Sequence, residues 1–341
     1  MIFKKRPYLI VPKLIVQPTW GGNYISNLKE WNNQSFLKNK KIGQSYELFS
    51  QSKLLTKITD SSDKRFVPEL GNPDSDRIDN DGNYQKNIDY INLFQITHLV
   101  DKIPLIKINQ SNGNSFQIHI KEGENNSRWR PKMESWYYFE DGLATLGIKK
   151  GTDINKYKEA CIKIDENMKI LSAKIINKKI TLIKAKELAK KIIQQINPWQ
   201  FINRVEIKKN QIVDSGGGIH HSWEEDLEKY PYGNVLYEVQ QDVMDPISTL
   251  RAFDKGKFKS DGSIREIHIE DYFKYLDSLE ENNDISKMFP LKKGNNLITK
   301  KYYKLDLLEI EKELDENTYE SFTHLFVKKG KAVISTSEGE V

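Results

Sequence analysis

The sequence predicts a mainly β fold interrupted by a helical insertion. Three observations carry that expectation. Short runs of alternating apolar and polar residues, bounded by Pro and Gly turns, dominate the chain up to Ile148. From Asp153 to Ile196 the apolar positions recur instead at three and four. Strand signals then return at Arg204 and continue toward Ser335.

In chain order, Tyr8–Val11 and Leu14–Val16 read as strands separated by Pro12, followed by a turn at Pro18–Gly22 with Trp20 as its anchor. Gly43–Leu48 is the next strand. Residues 60–90 are polar and turn-rich. Their Asp74–Asp76 and Asp79–Asn83 stretches lack the Glu that closes a calcium loop, so an exposed loop is expected. Residues 86–100 are expected to form a helix leading into a strand at Ile103–Ile108, where Lys107 is a lone cation among apolar neighbours. In the strand Ser115–His119, Ser115, Gln117 and His119 share one face while Phe116 and Ile118 share the other. Trp136–Phe139 and Gly142–Ile148 form a hairpin about Asp141-Gly142.

The helical segment begins with Thr152 as the expected N-cap. Ile154, Tyr157, Ala160, Cys161, Ile164, Met168, Leu171 and Ile175 make its apolar face. A second helix runs over Leu182–Ile196 and stops before Pro198. The pair reads as an αα-hairpin with an aliphatic packing stripe and solvated lysines. Further strands are expected at Arg204–Lys209, Tyr237–Gln241, Tyr302–Leu308, Phe322–Lys328 and Ala332–Ser335.

The chain has 341 residues, 38% of them hydrophobic and 11% aromatic, enough for a packed core rather than a disordered chain. The net charge of +5 reads as mixed Lys and acid spread along the sequence. That argues against a dedicated nucleic-acid protein and leaves an anionic small substrate open. The single Cys161 excludes an internal disulfide and a Cys-based zinc finger, and fits a reducing cytoplasm as a small core residue. No apolar run is long enough to span a bilayer, and Pro12 and Lys13 interrupt what would be a leader's apolar region. A cytoplasmic protein with neither membrane nor nucleic-acid partner is expected.

The chemistry concentrates in residues 115–134. A hydroxyl, an amide and an imidazole on one strand face are costly to bury without partners, and a cation supplies one. Gln117 offers an oxygen, His119 a nitrogen and Glu134 a carboxylate. With a second His from elsewhere, these make a mixed N/O site suited to Zn²⁺ or a similar divalent ion, with a position left open for substrate. His220 and His221 are adjacent, so on a strand only one of them can face such a site. The preceding Gly216–Gly218 is not followed by Gly-Lys-Ser/Thr, which argues against a phosphate-cradling loop.

Seven motifs stand in one order: Trp20-Gly21-Gly22, Ser115-x-Gln117-x-His119, Lys132-x-Glu134-x-Trp136-Tyr137, Gly218-x-His220, Tyr237-Glu238-x-Gln240-Gln241, Arg251-x-Phe253-Asp254 and Arg265-Glu266-x-His268-Ile269. Together they resemble the type I phosphomannose isomerases, which are cupin-type enzymes, over most of residues 10–275. The chain departs from that pattern at Gln44, Tyr46, Ile120 and the Gly216–Gly218 run.

The resemblance implies a cupin jelly-roll barrel built from 1–150 and 200–280, the hairpin 151–199 as an insertion, and an incomplete second β-barrel at 290–341. It implies one Zn²⁺ per chain held by Gln117, His119, Glu134 and His220. Lys107 and Ser115 are implied substrate contacts. Arg251 and Lys132 are implied to recognise phosphate or stabilise charge, with Glu238 or Lys132 as the base, and Asp245 matches an acid of the Arg251 segment. His268 is expected to be structural. The implied activity interconverts mannose 6-phosphate and fructose 6-phosphate through a cis-enediol, in a monomer or weak homo-oligomer. The alternatives are an inactive sugar-binding cupin or an isomerase of another sugar phosphate.

Overall fold

The computed structural model describes residues 6–17, 20–71, 89–95, 97, 103–124, 126–318 and 322–341. Over those residues the chain is sheet-rich with few helices. It forms two compact units, Asn109–Pro290 and Met1–Ile108 with Leu291–Val341. The boundary falls inside a strand, Pro104–Ser111, and the helical hairpin lies within the 109–290 unit.

The first unit opens with β1 (Ile10–Val11), β2 (Lys13–Val16), α1 (Tyr24–Leu28), β3 (Ile42–Leu48), β4 (Lys53–Leu55), β5 (Glu69–Gly71), β6 (Tyr90–Asn92) and the start of β7 (Pro104–Ser111). Pro12 separates β1 from β2 as expected. β1, β4 and β6 form one antiparallel sheet, while β2 pairs antiparallel with β3 and parallel with β5. Val11, Leu55 and Ile58 bury against Leu9 and Phe66. The helix expected over 86–100 is absent from the described part, which forms β6 and a tight 3₁₀ turn at Leu93–Gln95. The Gln95 side chain accepts the Asn92 backbone N–H at 2.8 Å, so the backbone turns where a helix would continue. The Asp74–Asn83 loop and part of the Pro18–Gly22 turn lie outside the described residues.

The second unit continues with β8 (Phe116–Ile118), β9 (Glu134–Tyr138), β10 (Gly142–Ile148), α2 (Ile154–Ile176), α3 (Leu182–Ile196), β11 (Ile202–Ile207), β12 (Ile212–Ser215), β13 (His221–Trp223), β14 (Asn234–Gln241), β15 (Leu250–Phe253) and α4 (Ile269–Tyr275). One sheet has the order β11-β10-β13-β8-β15, and another carries β12-β9-β14. Trp136, Tyr138, Ala144, Leu146, Val213 and Leu236 draw the apolar faces of both sheets into one core.

The inner strands of the five-stranded sheet, β10, β13 and β8, are largely buried, while the edge strand β11 exposes Arg204 and Glu206. Phe116 and Ile118 of β8 pack with Tyr157, Ile164, Met168 and Ala185 of the hairpin and with Tyr272 of α4. Gln117, between them, turns the other way. Strand alternation therefore lets one strand serve the helical core and the candidate site together. Cys161 is buried in the helical core, as expected.

The hairpin matches its periodicity closely. α3 has the expected bounds, with Thr181 capping the Lys184 N–H at 3.2 Å and Asn197 left-handed (φ 50°) before Pro198. The cap of α2 is Asp153 rather than Thr152. Its carboxylate accepts the N–H groups of Asn155 (3.0 Å) and Lys156 (3.1 Å), while the Thr152 hydroxyl donates to the Phe201 carbonyl. α4 was not anticipated, although Ile269, Tyr272, Phe273 and Leu276 recur at three and four. Glu270 and Asp271 in its first turn complement the helix dipole, and Ile269 and Tyr272 are its buried residues.

Residues 291–341 return to the first unit as two short ladders, β16 (Asn296–Thr299) with β17 (Lys304–Asp306) and β18 (Ser335–Thr336) with β19 (Gly339–Glu340). The strand expected at Phe322–Lys328 belongs to no ladder among the described residues, although its exposure alternates, with Phe322, His324 and Phe326 half-buried.

Candidate metal centre

Three chain segments of the 109–290 unit bring ligand-type side chains together. His119 follows β8, Glu134 opens β9 and His221 opens β13. All three are at most 2% exposed. Their ligand atoms lie within 4.8 Å of one another. His119 Nε2 is 3.1 Å from Glu134 Oε2, and His221 Nε2 is 3.3 Å from Glu134 Oε1.

The outer hydrogen bonds determine what those nitrogens can do. His119 Nδ1 lies 2.7 Å from the Ser248 carbonyl, and His221 Nδ1 lies 3.0 Å from the Ile219 carbonyl. A carbonyl only accepts, so each Nδ1 carries the proton. Burial pushes both imidazoles below their ordinary pKa, His221 to about 4, so both rings are neutral. Each Nε2 therefore presents a lone pair toward a carboxylate. His221 Nε2 is within ion-pair distance of Glu134 yet makes no hydrogen bond. Two lone pairs facing a carboxylate in a dry site are mutually unfavourable until a cation lies between them. The donor set therefore fits a divalent ion of the Zn²⁺ type.

Lys132 borders this cluster. Its Nζ is 3.1 Å from Glu134 Oε2, 3.3 Å from Asp245 Oδ1 and 3.4 Å from Gln240 Oε1. Burial alone would push the ammonium's pKa down, but the carboxylates of Glu134, Asp245 and Glu238 outweigh it and hold it well above its ordinary value. These carboxylates hold Lys132 as its ammonium. Burial likewise opposes ionisation of Glu134, yet Lys132 and His119 hold its carboxyl well below the usual range.

Gln117 stands directly across from His221 on one side and from Arg251 on the other. Cross-strand partners share a face, so the three form a row beside the cluster. Ser115 is buried and donates to Gln117 Oε1 at 3.3 Å. The Arg251 guanidinium donates to the Thr249 carbonyl at 3.4 Å, and its Nε has no hydrogen-bond partner. Burial pushes its pKa down. Glu238 is buried on β14 two residues from Gln240, and its Oε2 accepts from Asn109 at 2.7 Å. Lys107 is buried in β7 and belongs to the other compact unit. His268 accepts the Arg251 backbone N–H at 3.3 Å and packs its ring 4.8 Å from that of Trp129.

The choice between adjacent histidines comes out opposite to the one the resemblance implied. His221, not His220, joins His119 and Glu134. His221 lies opposite Leu146 and Gln117, and this pairing turns it toward the cluster. His220 is on the helical side. Its Nδ1 meets the Tyr272 hydroxyl at 2.7 Å, its Nε2 meets Thr145 Oγ1 at 2.8 Å, and its ring stands 4.8 Å from that of Phe116. Its two ring nitrogens are thus engaged away from the cluster.

The glycine run has a packing reason. A Cβ at Gly217 would lie 2.7 Å from the Lys121 Cα and 3.0 Å from the Ile120 carbonyl oxygen, and Gly218 has φ 80°. That close approach lets Gly218 N–H donate to the His119 carbonyl at 2.6 Å and lets the Gly218 carbonyl accept from Asp277 N–H at 2.9 Å. The run therefore ties the segment before His221 to the one that carries His119. Sequence reasoning missed Gln240 and the carbonyls of Ser248 and Ile219. Only Gln240 had a readable signal, since it shares a strand face with Glu238.

No protein-family profile matches the chain, and no curated protein sequence does. Solved structures do match. The mannose 6-phosphate isomerase of Bacillus subtilis superposes with a TM-score of 0.51 at 14% identity, over 88% of this chain and 79% of that one. A mutant of phosphomannose isomerase from Salmonella typhimurium gives 0.46 at 10% identity, over 85% and 80%. A zinc-bound mannose 6-phosphate isomerase gives 0.45 at 9% identity, over 84% and 79%. The likeness to the Bacillus subtilis enzyme is one of fold: this chain is built like a mannose 6-phosphate isomerase.

Proposed function

We propose that the protein is a divalent-metal-dependent sugar-phosphate isomerase with a cupin-type barrel, and that it interconverts mannose 6-phosphate and fructose 6-phosphate. One observation carries the reading: two buried imidazoles, each fixed as the Nδ1–H tautomer, aim their free Nε2 lone pairs at one carboxylate. The fold shared with the Bacillus subtilis enzyme supports the same reading.

His119, His221 and Glu134 would hold the ion, with Gln117 as the neighbouring oxygen donor. Zn²⁺ bound there would supply Lewis-acid polarisation of the sugar's oxygens. Aldose–ketose isomerisation moves a proton between C2 and C1 through a cis-enediol, so it needs a base on one face and positive charge near the developing oxyanion. Lys132 is buried and held as its ammonium by the surrounding carboxylates, which suits charge stabilisation. Glu238 takes the role of base, with Asn109 orienting its carboxylate. Arg251, with an unpartnered Nε on the Gln117 row, and Ser115 would recognise substrate oxygens. Lys107 keeps its proposed role as a substrate contact.

The test is conversion of mannose 6-phosphate to fructose 6-phosphate by chelator-treated protein, before and after Zn²⁺ is added. Activity restored by the metal is the expected result. Stoichiometric metal uptake with no turnover would overturn the reaction proposed and leave a sugar-binding module or an isomerase of another sugar phosphate. Failure to take up metal would overturn the centre itself.

A further inference from the structure

We propose that the free end of the α2–α3 hairpin is a docking surface for an anionic lipid bilayer. The inference is independent of the isomerase reading. Residues 153–196 hold eleven lysines against five acidic residues, a surplus of six, whereas the whole chain carries +5. The positive charge is therefore local to this hairpin, and the remainder of the chain is close to neutral. Between Glu166 and Glu187 there are six lysines and no acid.

Exposure matches that bias. Lys174, Lys178, Lys179 and Lys186 are exposed and have no acidic partner among the described residues. Lys169 and Lys184 are engaged with Asp165 (2.7 Å) and Glu187 (3.2 Å). The adjoining loop brings Asp261, whose carboxylate is held by Ser263 through hydrogen bonds of 2.9 and 2.7 Å. Set among the free lysines are large apolar side chains left in water: Ile176 is 58% and Ile183 74% exposed, on either side of the five-residue turn 177–181. Both exceed what the hairpin's own packing requires, since the helical core is filled by the opposite faces.

Lysines with aliphatic knobs and no arginine suit a phospholipid headgroup layer, where ammoniums meet phosphates and isoleucines enter the interface. Nucleic acid is the other polyanion, but single strands are held by aromatic stacking and arginine, and the segment has no arginine and only the buried Tyr157 as an aromatic. No helix among the described residues is long and apolar enough to cross a membrane, so the contact would be peripheral. The expected lack of a membrane partner rested on the absence of a bilayer-spanning apolar run, which does not bear on a peripheral contact.

The experiment is co-sedimentation of the full chain with phosphatidylcholine vesicles, with and without phosphatidylserine. Binding that requires phosphatidylserine and weakens with salt is expected. One variant carries Lys174→Gln, Lys178→Asn, Lys179→Gln and Lys186→Gln; Asn suits position 178 because its φ is 55°. At about fivefold per lysine it should bind on the order of several hundredfold more weakly. A second variant, Ile176→Ser with Ile183→Ser, should lose roughly tenfold while keeping its charge. Circular dichroism and metal content report whether either variant keeps the fold. No sedimentation with phosphatidylserine vesicles, or equal sedimentation of both variants and the parent, would overturn the proposal. So would displacement of the vesicles by poly(U) RNA with the isoleucine variant unaffected, which would make the surface a nucleic-acid contact.

Discussion

His220→Ala and His221→Ala should part company in a metal-dependent unfolding experiment, although the two residues are neighbours. His221 offers a lone pair to the cluster and spends its other nitrogen on a backbone carbonyl. Loss of an outer-shell partner already costs about 10–100-fold in metal affinity, so loss of the ligand itself should cost more. At free Zn²⁺ a hundredfold above its Kd, linkage stabilises the parent by about 2.7 kcal/mol. At roughly 2–4 °C per kcal/mol for a unit of this size, the metal raises the melting temperature by about 5–11 °C. His221→Ala should abolish that rise; without metal it leaves a cavity beside Trp136 and His119 that costs about 2–4 kcal/mol, offset in part by removal of an orphaned polar atom.

His220→Ala should keep the rise. Thr145 Oγ1 keeps Ser222 as a partner at 2.7 Å, and the Tyr272 hydroxyl keeps Tyr157 at 3.3 Å, so the main cost is the cavity under Phe116. That cost is about 2–4 kcal/mol, with the metal-induced rise retained. Differential scanning fluorimetry with and without Zn²⁺, together with metal content by mass spectrometry, reads both numbers. Metal uptake lost in His220→Ala and kept in His221→Ala would refute the assignment and the tautomer argument beneath it.

Three further outcomes are expected. Lys132→Met strands Glu134 as a buried charge, so without metal the protein should lose about 3–5 kcal/mol in denaturant titration, with Zn²⁺ recovering part of it and turnover remaining abolished; full activity would remove Lys132 from the mechanism. Burial pushes the Asp277 carboxyl up, but hydrogen bonds from Lys121, the Leu279 N–H and Asn282 outweigh it and hold its pKa below the ordinary value. Its stabilisation is thus present above the unfolded-state pKa and lost as pH falls through the folded one, so Asp277→Asn should lower stability at neutral pH and flatten the acid limb of a stability–pH curve; an unchanged limb would contradict this. Gly217→Ala should cost about 1–3 kcal/mol through contact with the Lys121 backbone, whereas Gly216→Ala, with only Ile219 Cγ1 at 3.7 Å, should be near neutral in thermal melts, and equal effects would count against the close approach.

What could be read from the sequence was what local periodicity and order encode. The helices at Ile154–Ile176 and Leu182–Ile196 were legible because their apolar faces repeat over several turns and their caps are local. Ser115, Gln117 and His119 could be assigned one face because strand alternation needs no partner. Which histidine faces the cluster could not be read, since the pairing of β13 with β8 and β10 decides it and both partners are remote in sequence. The charge state of Lys132 depends on Glu134, Asp245 and Glu238 meeting it in space. Phe322–Lys328 has strand composition but joins no ladder among the described residues, because β propensity describes a fit to a pleated, half-buried surface and does not itself supply a pairing strand.

The adjacent pair His220-His221 carries a consequence for folding fidelity. Slipping β13 by one residue would bring His220 to the cluster and Ile219 into the slot that His220 fills, and the mispaired strand would still offer nitrogen to a cation. Metal affinity alone would then discriminate poorly between the correct strand and its misthreaded twin. Discrimination falls to the helical side, where Tyr272 and Thr145 accept only an imidazole and Phe116 shapes the slot around it. The residues that proofread the centre are thus ones that never touch it, and weakening that remote slot should yield molecules that are fully metallated yet wrongly assembled.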